Sequence, residues 1–467
     1  MKNQYIGLKF NNLIVILFIF SLFSCTPDPI DEKPTTNEVT DTTQVLDYLF
    51  DLKALPHYKL TITAVEWNKL LTYFDQNEHN EEYVNTALTI EKTNKTFQYQ
   101  TTGLRLRGNT SRRRPEGVNG EPHSSTNPDW HHASFTLKFN KYKKGQKLLG
   151  QEKMILKWFK DDAMYVREVY CYDLFRRFGV WTAPRSSYCR LTIGVAGDAK
   201  PAYFGVYQSI ESIDEDYIQH RAAQFGSTDG FLWKANYGAD LSNSDKSRMG
   251  LEVHTLTSNY DPVYDLKTND AELEIAKTQL AQFIDSVRIL SGTAFKNWIT
   301  KRTDVDLLLK TYAVNVMCGM WDDYWRNKNN YYFYMNRSGK FWFIPYDYDN
   351  TLGTSLIMTN SGTQNLLTWG SSSNPLISKI ISIAEYRTIY VNYLKALNVP
   401  TDDLFYVDKS AERIKTWQTL ISSYLPNDTE EDMELKDVPA SWGNCGYYRL
   451  LGSTNNFFST RGSNLPQ

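Results

Sequence analysis

Acidic and amide side chains are densest between residues 321 and 353, which read WDDYWRNKNNYYFYMNRSGKFWFIPYDYDNTLG. Asp322 and Asn327 stand five positions apart, and Asp347 and Asp349 close the segment. Hard oxygen donors with no His or Cys among them suit Mg²⁺ or Mn²⁺ and not zinc. A carboxylate beside such a metal can accept the proton of a hydroxyl nucleophile. The segment therefore has the residue types that metal-dependent phosphoryl transfer uses.

Two predicted strands, 330–335 and 340–345, lie between these acids and are joined by a turn at Arg337-Ser338-Gly339. A hairpin brings its outer ends together, so we expect Asp322 and Asp347 to be neighbours. Acids that meet raise one another's pKa unless a cation compensates. Asp and Asn are also the commonest turn residues. The spacing alone therefore leaves two interpretations open, a metal-dependent catalytic site and ordinary turn chemistry.

Period-two patterns dominate the first half of the chain, and amphipathic helical patterns dominate the second half around the inserted hairpin. This order predicts an α+β protein with two lobes and a site in the cleft between them. The strand that ends GLRLR runs into Gly-Asn-Thr-Ser at 108–111. Such a turn is dense in hydroxyls and backbone donors and can hold phosphate oxygens.

The N-terminus has the pattern of a targeting segment, with Lys2 and Lys9 before a short apolar run, 13–23. Residues 22–25 read LFSC and resemble a bacterial lipobox, which predicts lipidation of Cys25. We therefore expect a lipid-anchored protein of the bacterial cell envelope that faces the periplasm or the cell exterior. The predicted organisation is a signal peptide at 1–24, a disordered tether at 25–45, the main domain at 46–425 and a tail packed on it at 426–467.

The formal net charge of -2 gives no field that would favour nucleic acid, so no nucleic-acid partner is expected. Four cysteines besides Cys25 lie far apart in the sequence with no C-x-x-C pair, which argues against a zinc site. They are Cys171, Cys189, Cys318 and Cys445. We expect at least two of them to be buried free thiols.

Several segments, in order, resemble the motifs of the CotH kinases, a family of atypical protein kinases related to a spore-coat protein. The segments are GLRLRGNTS, SFTLKF, DDAMYVREVYCYDLFRRFG, YFGVYQSIESIDEDYIQHR, FLWKAN and WDDYWRNKNNYYFY…GKFWFIPYDYDNTLG. Together they span roughly residues 56–400. The resemblance implies an atypical protein-kinase-like fold with a strand-rich N-terminal lobe and a helix-rich C-terminal lobe. It also implies ATP, with Mg²⁺ or Mn²⁺, as the cofactors and an unidentified protein as the acceptor.

The resemblance assigns roles to individual positions. Asp322 matches the catalytic Asp, and Asp347 matches the metal-binding Asp. Asn330 matches a metal ligand, Asn327 competes with it through the five-residue spacing, and Asp349 is a further candidate. The candidates for holding the nucleotide are Arg107, Gly108, Ser111, Lys138, Glu211, Lys234 and Tyr346, with Tyr346 in the place of a Trp that would stack on adenine.

Two positions depart from the family pattern. Many members have Lys-Lys directly before the strand that here begins at Ser134, whereas this chain has His132 and Ala133. Asp323 replaces a Gly and is expected to add negative charge beside the site. Two functions follow: an active kinase that phosphorylates a protein Ser or Thr, or an inactive member that binds glycan or protein through aromatics such as Trp321, Tyr324 and Trp325.

Overall fold

The computed structural model describes residues 42–252, 262–370, 374–442 and 448–466. The chain is a mixed α+β protein, and from residue 41 on it forms one compact unit. Its α-helices in the described ranges are α1 (Thr42–Leu49), α2 (Ala64–Gln76), α3 (Arg167–Arg177), α4 (Glu215–His220), α5 (Ala222–Phe225), α6 (Leu273–Ile289), α7 (Gly292–Arg302), α8 (Val305–Met317), α9 (Pro375–Ser382), α10 (Ala384–Leu397), α11 (Val407–Ile421) and α12 (Phe457–Gly462).

The strands in those ranges form two sheets. They are β1 (His57–Ile62), β2 (Val84–Lys92), β3 (Lys95–Arg107), β4 (Ser134–Lys138), β5 (Lys153–Lys157), β6 (Ser186–Val195), β7 (Ala202–Glu211), β8 (Phe231–Ala235), β9 (Met249–Gly250), β10 (Tyr264–Leu266), β11 (Tyr331–Met335) and β12 (Phe341–Pro345).

The first seven strands close into a barrel in the order β1-β2-β3-β4-β5-β7-β6. Neighbours pair antiparallel except β1 and β6, which pair in parallel and close the ring. Alternate side chains of β1 and β2 point inward, which the period-two pattern of both strands requires. The interior is a continuous hydrophobic core that α2 covers through Trp67, Leu70 and Leu71.

The second sheet has the order β12-β11-β8-β10-β9, and its core is continuous with that of the helices. The predicted hairpin forms one side of this sheet with β12 outermost, and in it Tyr331 pairs with Pro345 and Met335 with Phe341. Both strands of the hairpin are buried along their whole length. The hairpin therefore lies in the protein interior. The loops at its outer end are joined directly to these two buried strands.

Three element boundaries differ from the prediction. Helix α1 begins at Thr42, so the last four residues of the predicted tether, 42–45, are helical because Leu46, Leu49 and Phe50 bury against the barrel. The sequence pattern predicts one helix over 214–225, whereas the structure has two short helices there, α4 and α5, divided at Arg221. Helix α7 was not predicted because its hydrophobic face is narrow, with Phe295 and Ile299 as its buried residues.

In the described part of the chain, no helix is both long and apolar enough to cross a bilayer. Cys171, Cys189 and Cys318 are buried free thiols, as expected for at least two of the cysteines. Cys445 and the predicted signal peptide lie outside the described residues. The predicted two-lobed arrangement stays a prediction.

Candidate active site

The carboxylate of Asp322 is held by three amide side chains from the loop that follows it. Its Oδ1 accepts hydrogen bonds from Asn327 (2.6 Å) and Asn329 (2.9 Å), and its Oδ2 accepts one from Asn330 (3.0 Å). Burial raises the pKa of Asp322, and the nearby charge of Asp347 raises it further against the effect of the amide donors. The carboxylate is thus fixed in orientation and made more basic than a solvated Asp.

The loop that presents Asp322 is positioned by α8 and by buried aromatic side chains. Helix α8 begins at the N-cap Asp304 and ends at Met317, and Gly319 then turns the chain with φ 70°. Trp321 anchors the loop by donating from Nε1 to the carbonyl of Thr354 (3.1 Å). Trp321 is 4% exposed, Tyr324 1% and Trp325 1%, so they are core residues and do not form the surface patch considered for a glycan-binding function.

A single ammonium group lies among three carboxylates on the other side of the hairpin. Lys157, the last residue of β5, places its Nζ 2.6 Å from Asp347, 3.0 Å from Asp349 and 2.7 Å from Glu168. Lys157 is 8% exposed and Glu168 2%, whereas the side chains of Asp347 and Asp349 are 32% and 27% exposed, so the ammonium group is buried and the two aspartates are partly accessible to solvent. Burial would lower the pKa of Lys157, but its carboxylate neighbours outweigh burial and raise that pKa well above its usual value.

Glu168, in the first turn of α3, links this cluster to the backbone at Asp347. Its Oε1 accepts hydrogen bonds from the hydroxyl of Tyr172 (3.0 Å) and from the backbone N–H of Tyr348 (3.1 Å). The backbone N–H of Asp347 in turn donates to the hydroxyl of Tyr172 (3.0 Å). Helix α3 therefore determines both the position of Lys157 and the path of the chain through Asp347.

Asp347 and Asp349, two of the three acids in this cluster, have pKa values that are shifted in opposite directions. Burial would raise the pKa of Asp347, but Lys157 and then Arg107 outweigh burial and lower it. Burial raises the pKa of Asp349 to about 8, and Asp347 and Glu168 add to the effect against the attraction of Lys157. Neighbouring acids whose environments move their pKa values apart are common at functional sites.

Three non-glycine residues near the acids have left-handed backbone conformations, Asp347 at φ 64°, Lys328 at φ 64° and Asn330 at φ 50°. Such conformations are disfavoured for side chains with a Cβ and persist only where the surroundings impose them. Asn tolerates this region better than most residues. Their concentration at one place indicates that the acid positions are imposed by the fold.

The donors at this place fit a hard divalent cation. Among the described residues, no group of three or more His, Cys, Asp or Glu side chains is arranged to hold a metal ion. Mg²⁺, however, is commonly bound through one or two carboxylates together with phosphate oxygens of the substrate. Asp347 and Asp349 already share a cation, and the Oδ1 of Asn329 is buried without a hydrogen-bond partner. These oxygens are of the type that Mg²⁺ or Mn²⁺ prefers.

The predicted phosphate turn follows β3 and starts beside this cluster. Arg107 donates from Nη2 to the hydroxyl of Tyr346 (2.6 Å), the residue before Asp347. Gly108 has φ 117°, and a Cβ there would lie 2.7 Å from Oγ of Ser111, so this position requires glycine. Tyr346 is half-buried and packs edge-on against Tyr332 at 5.0 Å between ring centroids. Arg107 and Tyr346 are thus brought together with the acids, and Gly108 and Ser111 lie in the turn that follows Arg107.

Three other predicted nucleotide ligands have different positions. Lys234 lies in β8 opposite Tyr332, and its charge contributes to lowering the pKa of Asp347. Glu211 is at the far end of the barrel, where it forms a buried bidentate ion pair with Arg221 at 2.7 Å. Lys138 ends β4 at that same far end and is paired in register with Lys153. The structure brings Lys234 to the acids but neither Glu211 nor Lys138.

Lys157, Glu168 and Asn329 are at the site but were not among the predicted residues. Lys157 ends an apolar strand, MILK, and Glu168 follows an Arg on a helix, so each has the pattern of an ordinary surface residue. Asn329 lies between Asn327 and Asn330, the two positions that the resemblance and the five-residue spacing single out. A run of three Asn within four residues was the one local signal that could have identified it.

The structure also accounts for the two departures from the family pattern. His132 is 1% exposed and bonds through Nε2 to the carbonyl of Phe204 (2.8 Å), so it belongs to the barrel core. Lys157 instead supplies a cation from the neighbouring strand, directly opposite Ser134. Asp323, the other departure, is 1% exposed, and burial raises the pKa of its carboxyl well above the usual range, which opposes the added negative charge.

The comparison with family models shows to which protein family the chain belongs. The model described as "CotH kinase protein" matches residues 104–459, which is more than half of the chain. The chain belongs to the CotH kinase family. Its family region therefore includes the end of β3, the phosphate turn, Lys157, α3, Asp322 and the acids after the hairpin. The family region also reaches into α12, well into the segment that the sequence prediction treated as a tail.

One curated relative of this CotH kinase family member is Inner spore coat protein H of Bacillus subtilis (strain 168). The two proteins are 28% identical over 239 residues, which is 50% of this chain and 61% of the relative. The chain thus covers less than two thirds of that relative's length.

Proposed function

We propose that this protein is a metal-dependent atypical kinase that transfers the γ-phosphoryl group of ATP to a Ser or Thr hydroxyl of a protein. The observation that carries the proposal is the Lys157 cluster beside Asp322. Protein kinases use a strand Lys paired with a helix Glu, an Asp that holds the metal and a separate Asp that orients the hydroxyl. Lys157, Glu168, Asp347 and Asp322 have these four chemical types on elements of the corresponding kind.

Each residue has a defined part in the proposed reaction. The oxygen of the acceptor hydroxyl attacks the γ-phosphorus, the bond to the oxygen that bridges to the β-phosphorus breaks, and ADP leaves. Asp322 accepts the proton, since its orientation is fixed by three amides and its pKa is raised toward neutrality. Lys157 and the backbone after Arg107 hold phosphate oxygens.

Asp347 and Asp349, with an amide oxygen of the 327–330 loop, would hold Mg²⁺ or Mn²⁺. When bound, the metal offsets the charge that develops on the transferring phosphoryl group. Asp347 and Asp349 would then share their charge between the metal and Lys157, and Glu168 would keep the ammonium in place for a phosphate oxygen. Tyr346 would stack on the adenine ring. The barrel and the helical part with the second sheet would act as the two lobes of the kinase.

We further propose that the protein is held at the bacterial envelope by a lipid on Cys25 and acts on the periplasmic or outer side. The support is the LFSC motif and the apolar run before it. Incorporation of labelled palmitate into the full chain, lost in Cys25→Ser, tests this part separately from the catalytic proposal.

The catalytic test measures transfer of label from γ-labelled ATP to casein, a Ser-rich acceptor, with Mg²⁺ or Mn²⁺. We expect transfer by the wild type, none with EDTA, and a loss of at least about a hundredfold in Asp347→Ala. Asp129→Ala is the matched control because its side chain is 70% exposed on a loop. Absence of both transfer and metal-dependent ATP binding in the wild type would contradict the proposal and favour an inactive binding protein.

A further inference from the structure

The connection between β4 and β5 is rich in lysine. Residues 138–147 read KFNKYKKGQK and contain five lysines. Lys141, Lys143 and Lys144 are exposed, and Tyr142 between them is 43% exposed. We call residues 138–147 the lysine loop. It is outside the site described above, and the proposed reaction makes no use of it.

Much of the charge of this loop is not neutralised within the protein. In the described ranges, no carboxylate oxygen lies within 4.0 Å of the ammonium groups of Lys141, Lys143 or Lys144, whereas Lys147 is paired with Asp216 at 2.7 Å and Glu152 at 3.2 Å. The loop therefore presents a positive surface to solvent.

The described chain begins at the same end of the barrel. The carbonyl of Leu49, at the end of α1, accepts a hydrogen bond from Lys92 at the β2–β3 turn (3.0 Å). Thr43, near the start of α1, lines a cavity of about 170 Å³ together with His220. His220 contacts the base of the lysine loop through Gln151 (3.0 Å).

The candidate active site is at the opposite end of the same strands. Strand β5 starts at Lys153, beside the lysine loop, and ends at Lys157 among the acids. Strand β4 runs the other way, from Ser134 near the site to Lys138 at the loop. A surface bound by the lysine loop would therefore leave the site open on the far side.

We propose that the lysine loop docks this protein onto an anionic membrane surface, with the active site facing away from the bilayer. Clusters of lysine near a membrane attachment are attracted by anionic lipid headgroups. Exposed Tyr142 suits the headgroup region, where an aromatic ring with a polar end is favoured. If Cys25 carries a lipid, the 16 residues at 26–41 span at most about 55 Å, so the barrel end stays within reach of the surface.

The inference depends on the proposed anchoring for its biological setting, but its test needs neither the lipid nor ATP. The unlipidated chain 26–467 retains the whole compact unit with both hydrophobic cores. Its binding is measured by co-sedimentation with vesicles of phosphatidylglycerol and phosphatidylcholine in equal parts, and with pure phosphatidylcholine. The test variant is Lys141→Glu/Lys143→Glu/Lys144→Glu. The control, Lys301→Glu/Lys395→Glu/Lys415→Glu, changes net charge equally at exposed positions on α7, α10 and α11.

We expect the wild type and the control to bind the anionic vesicles at about 0.1 M salt and to be released at about 0.5 M, because surface attraction is screened over about one Debye length. The test variant should bind at least about tenfold more weakly. Equal binding to both vesicle types, no binding to either, or equal loss in the two triple variants would overturn the proposal. Phosphoryl transfer to casein should be the same in all three proteins, so failure of docking is distinct from failure of the proposed catalysis.

Discussion

Two adjacent acids, Asp322 and Asp323, have different hydrogen-bond donors. The carboxylate of Asp322 accepts three amide hydrogen bonds at the site, whereas the carboxyl of Asp323 is buried and accepts from the backbone N–H of Trp325 (3.1 Å). We predict that Asp322→Asn slows phosphoryl transfer at least about a hundredfold, because general base catalysis contributes about 10²–10⁴-fold. Binding of ATP should change by less than about twofold.

The measurement is initial transfer rate together with ATP affinity. Asp323→Asn is the matched control and should keep most of the activity, because that carboxyl is buried and accepts a backbone hydrogen bond that an amide oxygen of the same shape can also accept. Equal losses in the two variants would mean that Asp322 has no special part in transfer.

Lys157 is predicted to be essential for stability as well as for phosphate binding. In Lys157→Met, three carboxylates lose the cation that lies between them. Breaking a buried charge cluster in this way costs about 3–5 kcal/mol, so the free energy of unfolding should fall by about that amount.

Denaturant unfolding without divalent metal measures this change. The double variant Lys157→Met/Asp349→Asn should recover part of the loss, because one of the unpaired carboxylates is removed. A loss below about 1 kcal/mol in the single variant, or none recovered in the double variant, would show that the cluster is not a coupled unit.

At the scale of elements, the long connection between β3 and β4 is fastened to the barrel by a buried histidine. His123 contacts Glu116 through Nδ1 (2.9 Å) and Asp198 through Nε2 (2.7 Å). Glu116 also accepts from Trp67 of α2 (2.7 Å). Burial would lower the pKa of His123, but the two carboxylates outweigh burial and raise it.

A histidine whose folded-state pKa is raised stabilises the fold fully below its unfolded pKa of about 6.5 and loses that contribution as the pH rises through the folded value. We therefore predict that the urea midpoint of the wild type declines from about pH 6.5 upward. His123→Gln should flatten this part of the profile, and His79→Gln, at a half-buried histidine near the surface, should leave it unchanged. Identical pH profiles of the urea midpoint for wild type and His123→Gln would show that His123 does not cause this pH dependence.

At the scale of the whole molecule, the C-terminal segment is part of the folded unit. Leu450, Phe457, Phe458 and Arg461 are each fully buried. Arg461 donates to the carbonyl of Val316 (2.6 Å) in the last turn of α8 and to that of Gln364 (2.7 Å). The segment therefore stabilises the helix that leads to Asp322.

We predict that truncation after Leu425 abolishes cooperative unfolding. Removing several fully buried side chains costs about 2–5 kcal/mol each, which exceeds the total stability of a typical domain. Circular dichroism melts of the truncated and full chains test this, with a chain shortened by residues 464–467 alone as the control. A cooperative melt of the truncated chain at the wild-type temperature would contradict the prediction.

The sequence alone determined the features that depend on short stretches of chain. The hairpin of β11 and β12 and the closeness of Asp322 to Asp347 follow from periodicity, turn residues and the geometry of a hairpin. The family relationship also follows from the order of local motifs, and the family match confirms it.

Only the tertiary structure decided which charged residues meet across distant elements. Lys157 forms an ion pair with Asp347, which lies 190 positions away in the sequence. Glu211, a predicted nucleotide ligand, instead forms an ion pair with Arg221, which is only ten positions away. The parallel pairing of β1 with β6 that closes the barrel is equally remote in sequence. Local pattern carries no information on such pairs, because the partner of a buried charge is selected by the low-dielectric packing that surrounds it after folding.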